Sequence, residues 1–147
     1  MTTRPLRTAA TLALALIVAP APALRAEVPW LRPAELAEQS THIVVGTLRA
    51  SYRATAPSPD AGFEQTNGLA EIAVTKVEKG TGPAPGATVF VRFWNLRWVG
   101  TGEVPPHSGG HDVPANGAAV RAHLRRAADG TYEALLPNGL AALPAPR

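Results

Sequence analysis

The segment His107-Ser108-Gly109-Gly110-His111-Asp112 is the densest run of chemistry-bearing side chains in the chain. It holds two imidazoles and a carboxylate, with two glycines between them that let the backbone curl. These are donor types that zinc and copper accept. A complete site needs three or four ligands, and the sequence contains no cysteine to supply one. His123, expected to point outward from a strand, is a further ligand if the loop folds back, and His42 is a more remote one. The candidate metal set is therefore His107, His111, Asp112 and His123, for Zn or Cu. The competing reading is a polar glycine-rich loop whose histidines face water. Ser108, His111 and Asp112 also include the residue types of a hydrolytic triad. Triads are assembled from separated segments on a rigid scaffold, so local adjacency does not argue for one. With no nucleophile-elbow or phosphate-loop pattern and few acid–base groups, the chain reads as non-enzymatic with no required cofactor.

A second constellation lies on the segment Ala87–Trp94. Val89, Val91 and Phe93 alternate with Thr88, Phe90, Arg92 and Trp94, the period of two that a pleated strand selects. Phe90, Arg92 and Trp94 share a face, and Trp98 follows with Arg97 beside it. Exposed, that face is a platform for a small ligand or a partner protein, with Phe90, Arg92, Trp94 and Trp98 as contact residues. Alternatively the N-terminal arm covers it, with Trp30 packed on Trp94, since Trp30 and Leu31 need somewhere to bury.

The elements that position these residues follow in order. Pro33–Gln39 favours a short helix, with proline tolerated in its first turn. Strands are expected over 42–52, 69–78, 87–94, 118–126 and 131–136. Gly46 inside the first marks a bulge or bend. The apolar set of the second changes face between Val74 and Val77, which fits a bulge at Thr75-Lys76. Residues 53–62 and 95–117 read as irregular connections, and the long second one as functional or disordered. Asp129-Gly130 carries a hairpin signal. Residues 141–147 read as a flexible tail. Five strands with no helix long enough for a crossover predict a mainly β domain over 27–140, a small five-stranded antiparallel barrel with one short N-terminal helix.

Residues 1–26 read as a secretory signal peptide. Arg4 and Arg7 precede an apolar run through Leu12, Leu14, Leu16, Ile17 and Val18, with small-residue cleavage sites after it. The run is shorter than the ~20 apolar residues of a stable membrane anchor. The expected location is periplasmic or extracellular, with no stable anchor after cleavage. Of 14 basic residues, Arg4, Arg7 and Arg25 fall in this leader, leaving 11 basic against 11 acidic. A neutral mature chain argues against a nucleic-acid partner, which selects a basic face.

The segments Ile43-Val44-Val45-Gly46, Val77-Glu78-Lys79-Gly80 and Pro85-Gly86-Ala87-Thr88-Val89-Phe90-Val91 resemble those of small exported bacterial barrels of the OB type, including the netrin/TIMP-like group. The resemblance covers residues 42 to 93 and implies a fold. TIMP-like inhibitors reach a protease metal through an N-terminal cysteine, and this chain has none, so that activity does not carry over.

Overall fold

The computed structural model describes residues 29–104 and 109–144. The expected leader, and His107 and Ser108 of the histidine loop, lie outside the described residues.

Helix α1 (Pro33–Gln39) forms where the sequence places it. Pro33 opens the helix, where its missing N–H costs nothing. The Glu35 carboxylate accepts the Arg32 backbone N–H at 2.8 Å, satisfying a donor that the helix start leaves free. Leu36 is its one buried residue.

Six strands follow: β1 (His42–Pro57), β2 (Phe63–Lys79), β3 (Thr88–Trp98), β4 (Ala119–Arg126), β5 (Tyr132–Ala134) and β6 (Leu140–Ala142). The protein is mainly β, and the strands belong to one sheet in the order β1-β2-β3-β5-β4-β6, with β4 also paired to β1. The ladders β1–β2, β2–β3, β3–β5, β5–β4 and β4–β1 therefore return to their starting point. The expected purely antiparallel pairing is corrected by β3 and β5, which run parallel through Val91↔Tyr132 and Arg92↔Glu133. The reason is parity: strands in a closed ring of five cannot alternate direction all the way round, so one neighbouring pair must be parallel.

β1 and β2 are longer than expected. Their ladder continues past Tyr52↔Leu69 to Pro57↔Glu64, so only a short turn remains of the connection 53–62. Ser58 N–H donates to Phe63 O across that turn. The sixth strand is also new. Leu140–Ala142, at the edge of the expected tail, pairs with Val120–Ala122 of β4. The turn before it brings β6 onto the edge of β4 that β5 has just left, and Leu140 is buried in the core.

The core fills the ring with Val44, Leu48, Ile72, Val74, Val89, Val91, Phe93, Val120, Ala122 and Leu124. One irregularity meets both the Gly46 and the Thr75-Lys76 expectations, with its extra residue on β2, and further shifts that the sequence did not mark fall at Ile43/Val44 and Leu48/Ala50. The β1–β2 register shifts between Val45 and Gly46, opposite Lys76 and Val74, and Thr75 is left out of the pairing. Gly46 is required there: a Cβ would sit 2.2 Å from the Ala73 carbonyl oxygen.

Candidate functional site

All three described histidines of the candidate set and its extension are tied to neighbouring chain. His111 is buried between β3 and β5. Its Nε2 lies 2.8 Å from Ala134 O, and its Nδ1 lies 3.2 Å from Trp94 N. Nδ1 also lies 3.0 Å from Trp94 O. With the proton on Nε2 the ring donates to Ala134 O and accepts the Trp94 N–H, and with the proton on Nδ1 it donates to Trp94 O, so both ring nitrogens face backbone groups of the two strands. Backbone bonds reinforce the position: His111 N–H donates to Trp94 O and Leu96 N–H to Gly109 O. The segment 109–111 thus extends the sheet along β3 where β5 has ended. The residue offered as a metal ligand holds two strands together, with both ring nitrogens within hydrogen-bond distance of backbone atoms of β3 and β5.

His123 corrects the sequence expectation. It does not point into solvent; it is buried on the face of β4 that packs against α1. Its Nδ1 lies 3.3 Å from Ser40 Oγ, whose own proton goes to Leu36 O. Burial lowers the His123 pKa first, and the neighbouring Arg121 charge adds to this, so the ring is held neutral. His42 is buried as well, with Nε2 2.9 Å from Thr81 O and its ring edge-on to Tyr132. Asp112 is exposed. Among the described residues, no three His, Asp or Glu side chains gather around a common point.

The β3 face behaves differently. Val89, Val91 and Phe93 point into the core, while Phe90 is 48% exposed, Arg92 is exposed and Trp94 half-buried. Trp30 does not cover them: it is 70% exposed. The arm is fastened elsewhere, through Leu31 N–H to Asn138 Oδ1 and Asn138 Nδ2–H to Leu31 O. Trp98 belongs to the far end of β3. It stacks edge-on to Phe63 at 5.0 Å and closes over Gly62 and Gly100, so it is separate from the Arg92–Trp94 pair.

Arg92 and Trp94 line an open groove of ≈ 850 Å³. Register explains its floor. Tyr52, Leu69, Arg92, Glu133 and Arg125 are successive partners across β1, β2, β3, β5 and β4, so their side chains share one face. The next outward row is Ala54, Asn67 and Trp94. Gly68, between the two rows, is pinned by the core: a Cβ there would overlap the Phe93 ring. Arg53 caps the same ring from the inner side, 5.6 Å from its centroid.

The floor is mixed in charge. Arg92 pairs with Asp129 at 3.2 Å, with both groups half-exposed. Hydrogen bonds from Thr131, and then the Arg92 charge, hold the Asp129 carboxyl below its ordinary pKa. Glu133 lies in register between Arg92 and Arg125. Tyr52 donates its hydroxyl to Glu71, which raises the phenol pKa. Tyr52, Asn67, Leu69, Arg125 and Glu133 carry no motif in the sequence. The only signal that could have found them is the strand register, through which they meet Arg92 and Trp94. Comparison with protein-family models, curated proteins and solved structures finds no match.

Proposed function

We propose that this protein is an exported, non-enzymatic binding module built on an OB-type barrel, with the outward face of β3 as its contact surface. The observation that carries this reading is the uncovered groove in which Trp94 stands beside the five-strand row that contains Arg92. The return of five strands onto β1 supports the barrel. The apolar run at residues 12–18 supports export. Each group of the floor has a binding role that needs no bond-making. Trp94 and Tyr52 offer ring faces, Asn67 offers a donor and an acceptor, and Arg92 and Arg125 offer planar forks for a carboxylate or carbonyl. Glu133 between the two arginines favours a ligand carrying both donors and acceptors over a polyanion. The histidines give the metal reading no such support, because the described ones already serve neighbouring backbone and side-chain groups.

The test is ¹H–¹⁵N NMR of residues 27–147 against mixtures of small amides, carboxylates, indoles and sugars. Shift changes are expected to cluster at Tyr52, Asn67, Arg92, Trp94 and Glu133, and to vanish in an Arg92→Ala/Trp94→Ala variant that keeps its folded spectrum. Changes clustering elsewhere, or persisting in that variant, would remove β3 from the contact surface.

A further inference from the structure

The sheet leaves one long strand edge open. β1 pairs with β4 only from His42 to Thr47, with Leu48 completing the contact by donating to Ala118 O and accepting from Gly117 N–H. Its ladder with β2 continues to Pro57. From Arg49 to Pro57 the edge turned away from β2 has no strand partner among the described residues. Residues 52–57 are all exposed. The equivalent edge of β3 is treated differently: where β5 ends, the segment 109–111 bonds to Trp94 and Leu96 and covers it. An uncovered edge presents unpaired N–H and C=O groups to any extended chain.

The side chains narrow the occupant. β1 carries Arg49 and Arg53 on this stretch and no carboxylate anywhere along its length. Neither arginine has a carboxylate within ion-pair distance among the described residues. The acids of the adjoining β2 are engaged: Glu64 holds Arg97 at 2.6 Å, and Glu71 accepts the Tyr52 hydroxyl. A second copy of this edge would bring arginines towards arginines, and like charges across a strand pair are destabilising. An acidic strand would meet them as complements.

We propose that the β1 edge from Arg49 to Pro57 docks an extended acidic peptide segment of another protein as an added strand. The backbone bonds supply the pairing, and Arg49 and Arg53 select acidic side chains. Arg49 sits in the bulge that the ladder skips between Leu48↔Ile72 and Ala50↔Glu71, so its side chain is presented apart from that of Arg53. On the face opposite Arg53, alternate side chains of the guest fall beside Tyr52 and Ala54, which with Arg53 line the groove. The inference does not depend on the groove itself binding anything.

The experiment uses residues 27–147 and a synthetic peptide alternating glutamate and valine, followed by amide hydrogen exchange in NMR. Slowed exchange is expected at alternate amides between Ala50 and Ala56. A copy of the peptide N-methylated at alternate residues should lose this protection. An Arg49→Glu/Arg53→Glu variant should bind about tenfold more weakly or worse, whereas Thr88→Ala, at the far end of β3 opposite Ala73, should bind unchanged. Because Arg53 also caps Phe93, a lysine-for-glutamate peptide tests charge selection on the unaltered protein, and it should not bind. Equal binding of the lysine or N-methylated peptide would overturn the proposal, as would absence of protection. So would a concentration-dependent dimer that protects the same amides without peptide.

Discussion

The two halves of β1 lie in different surroundings. From His42 to Leu48 the strand has neighbours on both edges, a packed core on one face, and β4 with the docked helix beside it. Val44 and Leu48 are fully buried there, and Gly46 is squeezed against β2. From Arg49 to Pro57 the same strand has one neighbour, β2, and solvent on most sides. The first half is built by burial. The second is held by the ladder and by small cross-strand contacts such as Thr55 Oγ1 to Thr66 Oγ1 at 2.9 Å. A strand end freed from the core is available for contact, and both surfaces proposed above adjoin it.

The comparison is broken most directly at Phe93, whose buried ring lies across Gly68, the partner of Arg53, and carries the core under the second half. Phe93→Ala empties that space and removes the ring that Arg53 lies over, and should cost about 3–5 kcal/mol. Tyr52→Ala, on the exposed half, should cost about 0.5 kcal/mol or less. Urea unfolding of both variants checks the contrast. A Phe93 variant as stable as the Tyr52 variant would mean that the core does not reach the ribbon.

Gly46→Ala should rank next. The added carbon would fall 2.2 Å from the Ala73 carbonyl oxygen, so the two strands must part at the bulge. Such overpacking costs about 1–3 kcal/mol. The matched change on the projecting half, Thr55→Ala, removes one exposed hydroxyl contact and should be near neutral, again read by denaturant midpoint.

Sequence reasoning reached the first half of β1 and lost the second for one physical reason. Alternation is visible only where one face is buried. It marked β1 up to Tyr52 and β3 up to Trp94, together with the bulge that leaves Thr75 unpaired opposite Val45 and Gly46. Beyond Tyr52 both faces of β1 meet water and residues 53–56 show no pattern, while on β3 the buried Leu96 falls out of phase with Val89, Val91 and Phe93, so alternation breaks off there although the ladder continues. β6 escaped because three residues, two of them exposed alanines, are too short a run to alternate recognisably. His123 was misplaced because α1, far off in sequence, docks on the face that strand periodicity alone assigns to solvent. Of the candidate site, the sequence placed Arg92 and Trp94 on one face. Tyr52, Glu133 and Arg125 join them only through register across five strands.

The buried His123 gives a smaller, pH-dependent effect confined to the ring side. Its folded pKa lies below the unfolded value of ~6.5, because burial and Arg121 disfavour the imidazolium. The unfolded chain therefore binds more protons in this window, and stability rises with pH. The contribution is fully present above the unfolded pKa. It is lost as pH falls from ~6.5 towards the lowered folded value. Unfolding midpoints measured between pH 7.5 and pH 5, as a range about the histidine pKa, should decline in the native protein and flatten in His123→Gln. An unchanged slope in that variant would assign the titration to another group. Glu78 acts in a lower range, since Arg121 and then Lys76 hold its carboxyl below the ordinary carboxylate value.

The smallest expected effect concerns the arm, and it separates attachment from coverage. Trp30 is the most exposed large apolar side chain among the described residues, whereas Leu36, six positions later, is 5% exposed under the helix. If the arm closed the β3 face, removing the indole would uncover Phe90 and Trp94 and destabilise the domain. With the arm fastened through Leu31 and Asn138, Trp30→Ala should change stability by about 0.5 kcal/mol or less. Leu36→Ala should cost about 2–5 kcal/mol. Tryptophan fluorescence quenching by iodide reads the same contrast from the other side. The Trp30→Ala protein should lose its most accessible emitter while quenching of Trp94 stays unchanged. Increased quenching of Trp94 in that variant would show that the arm visits the groove, and the binding face would then compete with the chain's own N-terminal segment.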